Sequence, residues 1–126
     1  MDNCLFCNLD DIQNEVIIEN DLCIFLQHEE VVLNGSGLII PRAHRETVFD
    51  LTIAEWDATY EMIHQVKNLV DRNFKPNGYN LGWNCGECAG QHVFHAHLHI
   101  IPRFKDEPLA GKGIRYWLKQ ELNKRK

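Results

Sequence analysis

At 126 residues, with 44% hydrophobic and 25% charged side chains, the chain has the length and composition of one globular domain with a full core. Its formal net charge of −5 argues against a general nucleic-acid binder, whose contact surface would be basic. No apolar run is long enough to span a membrane and no leader-like stretch opens the chain. The cytoplasm is therefore the expected compartment, and the five cysteines read as thiols or metal ligands rather than disulfides.

In chain order, "EVIIEN" and "DLCIFLQ" are short β-rich runs meeting at Asn20-Asp21, the pattern of a hairpin. Cys23 in the second run reads as a small buried hydrophobe. "NGSGLIIPRAH" follows as a glycine-bearing turn and a buried strand, "GLIIP", ended by Pro41. From Thr52 the period changes. Ile53, Trp56, Tyr60, Ile63, Val66, Lys67 and Val70 recur at steps of three and four, which predicts a long amphipathic helix. Its apolar face, with Trp56 and Tyr60, is expected in the core or at a dimer interface. Thr52 and Glu55 supply an S/T-x-x-E capping box, and "KPNGY" closes the helix. "YNLGWN" then reads as a strand with Trp83 packed beneath it, "CGECAGQ" as a small-residue loop, and "VFHAHLHIIPR" as a second strand. "GIRYWLKQELNKRK" reads as a short C-terminal helix with a basic, fraying end. Strands, one long helix, then strands predict a single α+β domain, residues 1–126, with a mostly antiparallel sheet.

The chemistry concentrates in "HVFHAHLHII", which holds four of the seven histidines. On a strand His95, His97 and His99 share one face, while Phe94, Ala96, Leu98 and Ile100 face the long helix. Three aligned imidazoles have no packing purpose. Two functions suit them: metal ligation, for which His-x-His is a good spacing, or nucleophilic catalysis, in which one imidazole attacks phosphorus while its neighbours orient it and shuttle protons.

The run His95-Ala-His97-Leu-His99-Ile-Ile101 resembles the signature of the histidine triad (HIT) family, and "CLFC", "GLIIPRAH" and "GYNLGWNCGECAGQHVFHAHLHIIPR" extend the likeness over nearly the whole chain. The resemblance implies a meander with a five-stranded antiparallel sheet, usually in a homodimer, acting at the α-phosphate of nucleotide conjugates such as dinucleoside polyphosphates or nucleoside phosphoramidates. By the same resemblance His97 is the nucleophile that becomes nucleotidylated. His99 contacts the phosphoryl oxygens, Asn84 and Gln91 hydrogen-bond the phosphate or leaving group, and Gly90 lets the backbone approach it; His92 stands where many relatives carry Ser or Thr and could donate to a phosphate oxygen in their place. His28 stands where relatives often carry an Asp or Asn that bonds the ribose. Ser36 replaces a histidine that in many relatives supports the triad. A hydroxyl cannot titrate near neutrality, so a proton relay through that position is in question.

Two cysteine pairs, Cys4-x-x-Cys7 and Cys85-x-x-Cys88, invite a four-cysteine zinc site, although their separation exceeds that of a zinc ribbon. The family resemblance implies a different set, a structural zinc on Cys4, Cys7, His44 and His95, leaving Cys85 and Cys88 as loop thiols. A turn holding Lys112 and Arg115 is a candidate contact for distal phosphates. Three readings follow: a histidine-nucleophile nucleotide hydrolase, either on dinucleoside polyphosphates or as a purine nucleoside phosphoramidase; a nucleotide-binding module with vestigial activity, suggested by Ser36 and His28; and a metallohydrolase with a catalytic ion on the three histidines.

Overall fold

A computed structural model describes residues 3–28 and 30–126. Five antiparallel strands form one sheet: β1 (Val16–Glu19), β2 (Cys23–Leu26), β3 (Gly37–Pro41), β4 (Gly78–Trp83) and β5 (Leu98–Arg103), in the order β1-β2-β3-β5-β4. Two helices accompany it: the single turn α1 (Leu9–Ile12) and the long α2 (Ile53–Phe74).

The β1–β2 hairpin turns where expected. The Asn20 side-chain oxygen accepts the Leu22 and Cys23 amides at 3.0 and 2.7 Å, mimicking a backbone turn. β2 is buried at every position because both sheet faces are covered. On one face Cys23, Phe25, Ile39, Leu98 and Ile100 meet Met62, Val66 and Val70 of α2. On the other, Ile24, Leu26 and Ile40 meet Phe6 and Ile12 of the N-terminal segment. Gly37 is dictated by this packing: a Cβ there would stand 2.5 Å from the Leu26 carbonyl oxygen and the Phe25 ring.

α2 begins with the predicted capping box, Thr52 and Glu55 each bonding the other's backbone N–H. The stripe it buries matches the predicted one at Val66 and Val70 and departs from it in the first turns. Glu55, Thr59, Met62, Val66 and Val70 face the sheet, whereas Ile53, Trp56 and Tyr60 are 76%, 44% and 65% exposed. Two polar residues take core positions because their groups are satisfied there. Thr59 donates to the Glu55 carbonyl at 2.8 Å, and Glu55 is paired with Arg45 at 2.9 Å. Trp56 turns outward against Trp83, which packs on the α2 side of the sheet as expected.

Two other expectations change. The second strand starts at Leu98, so His95 and His97 lie in the bend that precedes it. The ladder cannot extend further because other groups take its backbone. Ala96 N–H bonds the Arg45 carbonyl at 2.6 Å, and the Pro41 carbonyl accepts from the His95 ring at 2.8 Å. Phe94, expected inside, is 45% exposed. At the C-terminus the helical pattern is realised only as turns and one 3₁₀ turn, Glu121–Asn123. Trp117, Leu118 and Leu122 find no face to bury against there, and an unpacked helix of that length is marginal in water.

Candidate active site and metal cluster

The site lies on the sheet face opposite α2, where three loops and the N-terminal segment converge. His95 is fully buried, and its two ring nitrogens are both committed. Nε2 donates to the Pro41 carbonyl, which fixes Nδ1 as the lone-pair nitrogen. Nδ1 faces Cys4 Sγ at 3.3 Å and Cys7 Sγ at 3.5 Å, and His44 Nδ1 stands 3.2 Å from Cys7 Sγ. Burial holds His95 below the ordinary imidazole value, so it is a neutral ligand at pH 7. Burial and then the Cys4 thiol push Cys7 above the ordinary thiol range. The four ligand atoms lie within 4.8 Å of one another, and among the described residues they form the one such group. This cluster can hold a metal ion. Cys85, packed toward Val48, Leu51 and Ala96, and the exposed Cys88 do not join it.

His97 has a different partner. Its Nδ1 is 2.8 Å from the His95 carbonyl oxygen, which can only accept, so Nδ1 carries the proton and Nε2 the lone pair. Its ring packs edge-on against Phe6 and against His99, with centroids 5.3 and 5.0 Å away. His99, on β5 opposite Leu38 and Gly82, has a buried Nε2 with no hydrogen-bond partner among the described residues. Burial, then the charge of His97, keeps it below the ordinary imidazole value. A metal shared by all three histidines is disfavoured by this arrangement, because His95 has no nitrogen left to turn toward His97.

The loop between β4 and β5 frames these rings. Gly90 adopts φ +95°, a left-handed conformation that requires glycine, and lies against the Asn84 amide. Gln91, expected at the phosphate, is instead 1% exposed. Its oxygen accepts Gly86 N–H at 2.8 Å and its nitrogen donates to the Glu46 and Val93 carbonyls at 2.7 and 3.1 Å. It braces the loop from inside. His92 is exposed and borders a surface hollow of about 610 Å³, shared with Cys4, Leu5, His44, Glu46 and Phe94. His28 is also exposed, 4.0 Å from Glu15 and 3.8 Å from Glu30, and lines a separate hollow of about 390 Å³.

Three contributors were missed from sequence. Phe6 packs on the His97 ring. Arg45 links the triad's backbone to the Glu55 carboxylate at the start of α2. Arg103 bonds Asn80 Oδ1 and the Leu109 and Lys112 carbonyls. It thereby fixes the turn that carries Lys112. Only Phe6 carried a local signal, as the large apolar residue inside a Cys-x-x-Cys turn.

A model described as the HIT domain matches residues 10–106. A Bacillus subtilis (strain 168) relative, "Protein hit", is 33% identical over 114 residues, covering 89% of this chain and 74% of its own. A bis(5'-adenosyl)-triphosphatase of Dictyostelium discoideum is 32% identical over 93 residues, 74% of this chain and 62% of that protein. Among solved structures, a HIT family protein from Bacillus anthracis superposes with a TM-score of 0.75 at 36% identity, covering 83% of this chain and 76% of the other. With these matches spanning the sheet, α2 and the three histidines, the chain belongs to the HIT domain family.

Proposed function

We propose that this protein is a nucleotide hydrolase that cleaves at the α-phosphate of a nucleotide conjugate, with His97 as nucleophile. The observation that carries this reading is the hydrogen bond from His97 Nδ1 to the His95 carbonyl, which leaves Nε2 as the attacking lone pair. In the first step Nε2 forms a bond to the α-phosphorus and the bond to the leaving group breaks. The resulting imidazolium keeps its Nδ1–H on the carbonyl, which stabilises the developing positive charge. Water then attacks the same phosphorus, the P–N bond breaks, and the nucleoside monophosphate leaves with the imidazole restored. His99 Nε2, buried and with no hydrogen-bond partner among the described residues, is the group assigned to a phosphoryl oxygen. Asn84, Gly90 and His92 are assigned to the phosphate surroundings, and His28 to the ribose. Gln91 acts through the loop it holds.

We assign the Cys4, Cys7, His44 and His95 cluster to zinc. A tetrahedral zinc with bonds of about 2.0–2.3 Å separates its ligand atoms by roughly 3.3–3.8 Å. The closest pairs, at 3.2 and 3.3 Å, stand near that separation. The His95 bond to Pro41 is the kind of outer support that orients a ligating imidazole. When bound, the ion supplies a structural pin between the N-terminus and the triad loop, and the cluster offers four protein ligands with no open position for substrate.

A dinucleoside polyphosphate is the favoured substrate, on the name of the Dictyostelium relative and on the Lys112 turn anchored by Arg103. We assign the outward Ile53, Trp56 and Tyr60 of α2, together with the neighbouring edge strand β4, to a homodimer interface. The five free cysteines suit a reducing cytoplasm.

The test compares wild type with His97→Ala on a dinucleoside polyphosphate and on an adenosine 5'-phosphoramidate, with intact-mass detection after a rapid acid-free quench. Release of nucleoside monophosphate, and a mass gain of one nucleotidyl group that His97→Ala loses, is the expected result. The preferred substrate decides between polyphosphate hydrolase and phosphoramidase. Tight nucleotide binding with no turnover on either would instead support a binding module, the reading favoured by the exposure of His28 between Glu15 and Glu30.

A further inference from the structure

We infer that Phe6 is a positioning residue that couples the metal cluster to the nucleophile. The inference rests on the reading of His97 above. Phe6 sits inside the turn Leu5–Cys7, between the two cysteines of the cluster. It is only 6% exposed and packs in the core with Ile24, Leu26 and Ile40. Its ring touches two members of the triad with different duties. It meets His95, a cluster residue, at 6.0 Å and 90°, and His97 at 5.3 Å and 66°.

The consequence is geometric. The His97 ring pivots on one hydrogen bond, Nδ1 to the His95 carbonyl. A single bond fixes the tautomer but leaves the ring free to swing about it, and Nε2 would swing with it. Edge contacts from Phe6 on one side and His99 on the other limit that swing. His99 is held by its strand, whereas Phe6 belongs to a short 3₁₀ turn held both by its own core packing and by what ties Cys4 and Cys7 to His44 and His95. Phe6 thereby carries the state of the cluster to the His97 ring, and an ion held by Cys4, Cys7, His44 and His95 would aim the nucleophile through it without touching substrate. The role is distinct from Lewis-acid chemistry: an aligned nucleophile gains rate because its attack geometry is prepaid.

The experiment uses the metal-loaded protein as wild type, Phe6→Leu and Phe6→Ala, each assayed before and after chelation. Three quantities are read: bound metal per chain, kcat and KM separately, and the His97 ring resonances in long-range ¹H–¹⁵N spectra. Phe6→Leu keeps an apolar filler, so it decides the matter if Phe6→Ala fails to fold. We expect Phe6→Leu to retain its metal, to lose on the order of tenfold or more in kcat with KM within about twofold, and to shift the His97 resonances. Chelation of wild type should move those resonances in the same direction, and chelation of Phe6→Leu should move them little further. Wild-type kcat and unshifted resonances in Phe6→Leu would overturn the coupling. So would a chelation shift as large in the variant as in wild type. Should no protein turn over substrate while the resonances behave as expected, the positioning stands and the hydrolase reading fails.

Discussion

The Arg45–Glu55 pair is the most exacting place to test how the fold holds the site. Arg45 Nε donates to both carboxylate oxygens of Glu55, at 2.9 and 3.2 Å, while the Arg45 carbonyl accepts the Ala96 N–H at 2.6 Å, between His95 and His97. Glu55 is 3% exposed. Burial pushes its carboxyl up, but the Arg45 guanidinium and the Thr52 N–H outweigh burial and leave it below its ordinary value. A charge-assisted hydrogen bond contributes about 1.5–3 kcal/mol. The Arg45 side chain is 33% exposed, which places the pair toward the lower end, about 2 kcal/mol. Arg45→Met alone should cost more, about 3 kcal/mol, because it strands a carboxylate that keeps only its Thr52 bond. For a domain of this size that is a fall in Tm of roughly 10 °C. The assay is a double-mutant cycle of Arg45→Met and Glu55→Gln by denaturant unfolding of metal-loaded protein, with kcat measured on each variant. Strict additivity of the two single changes would refute the pairing. Undiminished kcat in a folded Arg45→Met protein would refute the link from α2 to the triad.

The same pair sets a pH dependence. Because the Glu55 pKa is depressed on folding, its contribution is fully present above the ordinary value of 4.5 and is lost as pH falls through the folded value. The stability gap between wild type and Glu55→Gln should therefore be constant from pH 7 to about 5.5 and close below 4.5. A gap that widened in acid would contradict the assignment. Cys7→Ser should lower bound metal from one ion per chain to well below that in elemental analysis, and expose the N-terminal segment to proteolysis. Gly90→Ala forces a side chain into φ +95° and should cost about 1–2 kcal/mol in thermal unfolding, with a loss of kcat. Gln91→Leu leaves Gly86 N–H and the Glu46 carbonyl without their partner and should destabilise by about 2 kcal/mol or more. Wild-type stability for that variant would mean the amide is not the loop's brace.

Where the sequence was legible, the signal was local and repeated. The β1–β2 turn, the "GLIIP" strand and the α2 capping box each depend on a few adjacent residues, and the structure has them where the pattern put them. The apolar period of α2 placed Val66 and Val70 inside but missed Glu55, because hydrophobicity alone cannot see Arg45, 10 positions away, pairing with it. The metal cluster was legible only through the family likeness, since its ligands come from three separated segments. Gln91 was expected to hydrogen-bond the phosphate or leaving group, and in the fold its amide is buried within the loop. Its sequence neighbours give no hint that Gly86, Glu46 and Val93 would consume its amide.

Alternation also promised three equivalent imidazoles, and the structure makes them three different groups. What separates them is the backbone partner of each ring. A carbonyl at Nε2, from Pro41, turns the His95 lone pair toward two thiols. A carbonyl at Nδ1, from His95 itself, leaves the His97 lone pair on Nε2. His99 Nε2 is buried with no hydrogen-bond partner among the described residues, a third and different setting. The bend at residues 92–97 makes this division possible, because a regular strand would spend the same carbonyls on its ladder. The interruption of β5, and with it the Arg45 carbonyl that takes up the Ala96 N–H, is therefore part of how one His-x repeat yields three differently held imidazoles.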